Sequence, residues 1–434
     1  MQSGALQPVS TNIPRAVTTA LSADAFAKLS AAAGPLIQTL NVPALLASKQ
    51  PMVTEGDSLA NLKLSLSGLN FANPKISLTP TNGGLMFTAQ LDTLKVTANV
   101  AYGGTLVPSG SSVVNITADH VTIGGTLVVT PNGTAGFTTA LNSPTVNTVN
   151  LVLQSSGITG SILDLLNSTL GSSLQSILTE AAAAEMSPLL NDALGALEGP
   201  QQLDVLGQKL DVQASPSAVT FSSAGALVTI DLKVMLEGSQ SSPGYIYTAN
   251  GNPTMDAGHG IQLGLADDLV NELLAQVHAL GLLNVTLQKD LGIIDTAQFQ
   301  LTMPPMVSAN NPDGTMRLVL SDMIASFSDK GKPVAKAAIN AQIDLKLAPS
   351  DAQDVALQFG KVDLRVNLLD DTTPSDGLSG DDLASAATDG ISIQLDSLSK
   401  LLITLPVPSL EGIQLQNVSV GADSGYIVMS GQIQ

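Results

Sequence analysis

Asn82-Gly-Gly-Leu-Met-Phe-Thr-Ala-Gln-Leu-Asp-Thr-Leu-Lys-Val-Thr-Ala-Asn-Val100 is a turn signal followed by two runs of two-residue alternation. Leu85, Phe87, Ala89 and Leu91 form one run and Val96, Ala98 and Val100 another, each placing its apolar side chains on one face of a pleated strand. The same period holds upstream, through Leu62, Leu64, Leu66, Ile76 and Leu78, and downstream, through Val113–Ile116, Val121–Val129 and Val146–Leu153. Gly103-Gly104 and Pro131-Asn132-Gly133 supply further turns, because glycine and asparagine accept positive φ at little cost. The reading predicts an antiparallel meander.

On both sides of this meander the period changes to that of a helix. Phe26, Leu29, Leu36, Ile37 and Leu40 recur at helical spacing after Ser22, an N-cap, with Gly34-Pro35 as a kink. Between Gly157 and Leu197, apolar residues at Ile162, Leu165, Leu166, Leu170, Leu174, Ile177 and Leu178 predict a helix of about 40 residues, roughly 60 Å long. The second half repeats the theme. Strands are expected at Val205–Val212, Ala218–Phe221 and Leu227–Leu236, and a Gly/Pro/Asn-rich connection at Ser239–Gly260. An amphipathic helix over Ala266–Leu280 carries Asp267 and Asp268 in its first turn and Gly281 as its stop. Strands follow at Phe299–Met303, Met316–Ile324, Ala337–Leu347, Val355–Asn367 and Ile413–Val420, with an acidic loop or short helix at Asp370–Asp389.

Composition restricts what such a chain can do. Its 434 residues hold 17 Lys+Arg against 36 Asp+Glu, a formal charge of -19, which excludes nucleic acid as a partner. Charged residues are 12% of the chain, about half the usual share, and 44% of residues are hydrophobic. From His120 to Leu163 there is no charged side chain except the histidine itself. With no cysteine there are no disulfides and no thiolate chemistry, and three histidines leave little for a histidine metal site. No cofactor and no metal are expected. The first residues, Met1-Gln2-Ser3, lack a signal peptide's basic and apolar regions. The Ser/Thr/Asn/Gly-rich, lysine-poor composition leans towards a mature exported protein, periplasmic or associated with the outer membrane, with Met1-Gln2-Ser3 standing where a lipoprotein's anchoring cysteine would be.

Two blocks resemble a known family. Gly260-Ile-Gln-Leu-Gly-Leu-Ala-Asp-Asp-Leu-Val-Asn-Glu-Leu-Leu274, followed by Ala279-Leu-Gly-Leu-Leu-Asn-Val-Thr-Leu287, is similar to the start of the C-terminal domain in the tubular lipid-binding (TULIP) superfamily, in its bactericidal/permeability-increasing protein-like (BPI/LBP/CETP) family. Gly68-Leu-Asn-Phe-Ala-Asn-Pro-Lys-Ile-Ser-Leu-Thr-Pro80 with Gly84-Leu-Met-Phe-Thr-Ala-Gln-Leu91 is similar to that family's early paired strands. The resemblance, of bacterial type, implies an α+β fold: two pseudo-symmetric BPI-like (TULIP) domains, each a long helix wrapped by a curved antiparallel sheet, joined by a central sheet into an elongated molecule. Residues 1–200 would form the N-terminal domain, 201–258 the linker and central-sheet strands, and 259–434 the C-terminal domain. The resemblance also implies a non-enzymatic lipid binder with hydrophobic cavities, lined by Phe26, Leu29, Leu36, Leu40, Ile162, Leu166, Leu170 and Leu174, and by Leu269 and Leu273 in the second half.

The physics of lipid carriage agrees with the surplus of apolar residues. At roughly 0.8 kcal/mol per methylene, exposing a sixteen-carbon chain to water costs on the order of 12 kcal/mol, so a carrier needs a continuous apolar groove. The first half offers only Arg15, Lys28, Lys49, Lys63, Lys75 and Lys95, which favours a neutral lipid or a phospholipid over lipopolysaccharide. Transient membrane contact is expected from the uncharged 120–163 region, at the Asn132-Gly133 turn. Two rival readings accompany this one. Gly56-Asp57-Ser58-Leu59 and Asp256-Ala-Gly-His259 spell the letters of a GDSL-type esterase using Ser58 and His259, but Ser58 precedes strand residues rather than a helix. A surface adhesive or structural β-rich protein would also be Thr/Ser/Asn/Gly-rich. The carboxylates Asp370, Asp371, Asp376, Asp381 and Asp382 lack the spacing of a calcium loop and read as a solvated acidic segment.

Overall fold

The computed structural model describes residues 5–39, 53–56, 58, 61–105, 108–132, 136–155, 200–248, 250–255, 260–288, 294–311, 314–349, 355–371, 380–403 and 415–433. The predicted helix over 157–197 lies outside them.

In chain order, β1 (Leu6–Gln7) and β2 (Ile13–Ser22) lead into α1 (Ala23–Thr39). The N-terminal sheet follows: β3 (Val53–Gly56), β4 (Asn61–Thr81), β5 (Gly84–Gly103), β6 (Gly110–Pro131), β7 (Phe137–Val149) and β8 (Val152–Ser155). Then come β9 (Pro200–Val205), β10 (Gln208–Ser222), β11 (Gly225–Leu236), β12 (Tyr245–Ile246) and β13 (Ile261–Ala266). Helix α2 (Asp267–Ala279) precedes the C-terminal sheet of β14 (Val285–Gln288), β15 (Thr296–Leu301), β16 (Met306–Ser308), β17 (Met316–Asp329), β18 (Lys332–Pro349) and β19 (Val355–Asp371). Helix α3 (Gly380–Ile403) and strands β20 (Leu415–Asp423) and β21 (Tyr426–Ile433) complete it.

Between the two six-stranded sheets stands a seven-stranded one of order β20-β21-β13-β2-β11-β10-β9. Its strands come from both ends of the chain, since β2 pairs with β13 and β11 while β13 pairs with β21. Strand β10 packs against β4, β5 and β6 of the N-terminal sheet, and β20 against β18 of the C-terminal one. One apolar cluster therefore runs without a break from Leu62 through Val17 and Val228 to Phe299 and Ile343.

This architecture corrects the expected fold class. The described residues are overwhelmingly strand, and their three helices have 17, 13 and 24 residues. They do not form two α+β domains, each a long helix wrapped by a curved sheet. The reason is strand length. Asn61–Thr81 is one strand of 21 residues, although Gly68 and Asn73-Pro74 break its sequence pattern. Each break becomes an irregularity in the ladder, between Leu66 and Gly68, Asn70 and Ala72, and Ala72 and Lys75, with Asn73 at φ 44. A bulge absorbs an unpaired residue and bends the strand without ending it. On β5 and β6 the inward face slips by three residues, from Leu91 to Leu94 and from Ala118 to Val121, which leaves Asp119 and His120 exposed.

Of the segment expected as an acidic loop or short helix over Asp370–Asp389, Asp370 and Asp371 end β19 and 380–389 open α3, while 372–379 lie outside the described residues. Glycine at 390 is unfavourable for a helix by about 1 kcal/mol. The packing requires it here: a Cβ at Gly390 would stand 2.7 Å from the ring of Phe299, itself edge-on to Phe327 at 6.4 Å. No helix among the described residues is long and apolar enough to cross a membrane.

Candidate functional site

The inner face of the N-terminal sheet is a broad apolar surface assembled from its three longest strands. Leu64, Ile76 and Leu78 of β4, Phe87, Ala89, Val96 and Ala98 of β5, and Val114, Ile116 and Ala118 of β6 all point inward and are buried. Cross-strand register aligns them, with Leu78 opposite Phe87, Ala98 opposite Val114 and Val96 opposite Ile116. Three of these positions are alanine, so the face is apolar yet shallow.

Helix α1 sits at the β4 border of this face. Ser22 begins it as expected: its Oγ accepts the Ala25 N–H at 3.2 Å. Phe26 is fully buried, with its ring 6.3 Å from Phe221 of β10. Leu29 is half-buried against the same core. Ser30 fastens the helix to the sheet. Its hydroxyl donates to Phe26 O at 2.6 Å and accepts the Leu78 N–H of β4 at 2.8 Å. That N–H lies on the side of β4 not paired to β5, so α1 covers a strand edge that water would otherwise solvate. Phe26→Ala should therefore cost about 3–5 kcal/mol, read as a lower midpoint in urea unfolding, because it empties the junction of three elements.

Of the other residues expected to line a groove, Leu269 and Leu273 are buried on α2, which packs on β11, β12, β13 and β16. They thus belong to another part of the core from Phe26 and Leu29, which α1 sets on β4. Leu36 is in α1, but its side chain lies outside the described residues, as do Leu40, Ile162, Leu166, Leu170 and Leu174. Of the esterase letters, Ser58 occupies an exposed bend between β3 and β4, its carbonyl accepting the Thr105 N–H at 3.0 Å. Asp256 and His259 lie outside the described residues. A serine between two neighbouring antiparallel strands lacks the strand-to-helix turn that exposes a hydrolase nucleophile.

The periodicity of α2 misses a buried polar hub. Asp267, Asp268, Asn271, Glu272 and Gln276 are almost entirely buried. Asp267 accepts from Thr248 Oγ1 at 2.6 Å and from the Ala309 N–H at 3.0 Å. Asp268 accepts the Thr248 N–H at 2.7 Å, and Glu272 the Ser10 N–H at 2.6 Å. Gln276 accepts from the Leu236 N–H and from Ser239 Oγ, and donates to Val234 O. Asn271 exchanges two hydrogen bonds with Val307. One helix thus holds the segment before β2, the end of β11, β12 and β16 in place. Among the described residues no cation pairs with the three carboxylates. Burial raises all three, Asp268 to about 7 and Glu272 to about 8, against the hydrogen bonds that favour their charged forms. The sequence signal was present in the aspartates at the helix start, but alone it indicates a solvated first turn.

An open cleft of about 540 Å³ lies on the central sheet between Thr254, Met255, Gln262, Asp423, Val428 and Ser430. Its lining mixes polar and apolar groups, which does not suit a hydrocarbon chain.

Comparison with known proteins gives low-identity likenesses. The crystal structure of lipopolysaccharide binding protein matches with a TM-score of 0.48 and 14% identity, over 97% of this chain and 99% of that one. P47 of Clostridium botulinum E1 matches with a TM-score of 0.36 and 8% identity, over 96% of this chain and 98% of that one. P47 from Clostridium botulinum A2 matches with a TM-score of 0.31 and 8% identity, over 96% of each chain. No protein-family model and no curated protein sequence matches the chain. At these identities no residue role passes from those proteins to this one.

Proposed function

We propose that the protein binds the acyl part of a lipid against the inner face of its N-terminal sheet, beside α1, and carries or scavenges it in an extracytoplasmic compartment without catalysing a reaction. The observation that carries this reading is the continuous apolar face of β4, β5 and β6, kept shallow by Ala89, Ala98 and Ala118. Leu29, half-buried, would meet the chain at the β4 border, with Phe26 behind it in the core. The scarcity of cations in the first half favours a neutral lipid, or a phospholipid with its head in solvent, over lipopolysaccharide. The uncharged turn at Asn132 would touch the donor or acceptor membrane. Leu269 and Leu273 would serve a second, C-terminal site.

Pyrene-labelled hexadecanoic acid tests this. Ala118→Phe fills the inner face, whereas Asn115→Phe adds the same ring three residues away on the outer face. The wild type and Asn115→Phe should bind the probe, and Ala118→Phe should lose at least tenfold in affinity while keeping its strand signal in circular dichroism. Equal binding by all three, or none by the wild type, overturns the proposal.

The predominance of strand favours a second reading, an adhesive β-rich surface protein whose outer faces carry Ser, Thr and Asn, such as Ser77, Thr88, Asn99 and Asn115. On that reading the wild type binds no acyl probe.

A further inference from the structure

Strand β19 ends the C-terminal sheet, paired to β18 on one side only. Among the described residues, nothing pairs with its other edge over residues 358–370. The remaining sheet ends are shorter, as in β3, β14 and β9, or carry a proline, as in β7 with Pro144. Edge strands of this length are normally covered or blunted, because a row of unpaired N–H and C=O groups invites another strand.

The side chains of β19 show what that strand would be. Val362, Leu364, Val366 and Leu368 stand opposite Ile343, Ala341, Ile339 and Ala337 of β18, all four of which are buried. One strand further out the ends of the same row are open, Val362 40% and Leu368 48% exposed, while Leu364 and Val366 are half-buried against the core and α3 also packs on β19. The other face carries Lys361, Asp363, Arg365 and Asn367, all exposed, and no ion pair joins Asp363 or Arg365 to any described residue. Irregularities in the β18–β19 ladder fall outside 362–368, leaving that stretch regular.

We propose that β19 pairs with β19 of a second copy of this chain, antiparallel about a two-fold axis at Leu364. This register gives both Asp363 and Arg365 an opposite charge, whereas centring on Val362 would set Lys361 against Asp363 but leave Arg365 facing Phe359. Centred on Leu364, each Asp363 lies opposite Arg365 of the partner subunit, and each Val362 opposite Val366 of the partner subunit, with faces matched. Centring on Arg365 would oppose two arginines, and centring on Asp363 would oppose two aspartates and set Lys361 against an arginine. The resulting interface is isologous, as a two-fold requires, and it covers the half-exposed apolar row. It stands independently of lipid binding.

Sedimentation velocity of the full chain over a concentration series, at physiological ionic strength, tests this. The screening length there is about 8 Å, which damps long-range repulsion between two acidic copies but not a contact pair. The wild type should dimerise. Asp363→Arg and Arg365→Asp should each weaken dimerisation by about tenfold, since two symmetry-related pairs turn repulsive together. The double variant Asp363→Arg/Arg365→Asp should restore it. These positions are exposed, so circular dichroism should show all variants folded. A wild type monomeric throughout, single variants that dimerise as the wild type does, or a double variant as weak as the singles would each overturn the proposal.

Discussion

Gly225→Ala should destabilise the protein by about 4 kcal/mol, near the upper end for a single substitution. Gly225 has φ 146, and a Cβ there would stand 1.9 Å from Leu21 O and 3.0 Å from Ser22 Cα. Both obstacles are backbone, so no side chain can turn aside. The strain of a disfavoured φ adds to the clash. Four elements meet at this point. Gly225 opens β11 opposite Ser22 of β2, Ala23 N–H at the head of α1 donates to Ala224 O, and Ser22 N–H donates to Gly260 O before β13. Moving β11 away to fit one methyl would loosen the centre of the seven-stranded sheet and the start of α1 together. Gly207→Ala is the control. It too has positive φ, at 79, but nothing lies within 4 Å of its would-be Cβ, so it should cost about 1 kcal/mol. Urea unfolding of both variants checks the contrast; equal losses would place the effect in backbone preference and not in the clash.

Stability should fall as pH rises from about 5 to about 8. Glu272 is raised from 4.5 to about 8 and Asp268 from 3.8 to about 7, in both cases first by burial. The unfolded chain releases these protons near pH 4, whereas the folded chain keeps them until pH 7–8. Between its unfolded and folded values each group leaves the folded state with more bound protons and removes up to about 1.4 kcal/mol of stability per pH unit, Asp268 as far as about pH 7 and Glu272 as far as about pH 8. Below the unfolded values the protonated, buried carboxyls impose no such loss. Groups held low, such as Asp92 and Asp423, act in the opposite sense but only at more acidic pH. Glu272→Gln removes one ionisation and keeps an oxygen to accept the Ser10 N–H. Its melting temperature should depend less on pH than the wild type's, and should exceed the wild type's at pH 8.5. Parallel pH profiles for the two proteins would mean that Glu272 ionises freely in the fold.

Local features with a strong chemical cause were legible in the sequence. Ser22 was read as a cap and acts as one, Asn82-Gly83 turns between β4 and β5, and α2 spans Asp267–Ala279 with Gly281 at φ 68 after it. Longer-range features were not. The bulges at Gly68 and Asn73-Pro74 are not announced by the alternation of Leu62, Leu64, Leu66, Ile76 and Leu78, because paired neighbours on both sides carry the strand past them. Ile13–Ser22 carries no strand signal because a strand buried on both faces shows no alternation; Ala16, Val17, Thr18, Thr19, Ala20 and Leu21 are all buried. Helix α3 was obscured by its acidic start and by Gly390, whose purpose appears only when Phe299 is in place. Within the candidate site, Phe26 and Leu29 were readable from helical spacing. Ser30 was not, because its role depends on an N–H of β4 that lies 48 residues away.

The central claim is that the shallow apolar face of the N-terminal sheet shelters hydrocarbon. Native mass spectrometry of the intact protein, incubated with vesicles of neutral lipid and phospholipid and then separated from them, tests it most directly. The account predicts a population heavier than the bare chain by whole lipid molecules, which disappears after organic extraction and is diminished in Ala118→Phe. A spectrum showing only the bare polypeptide, before and after exposure to the vesicles, would contradict it.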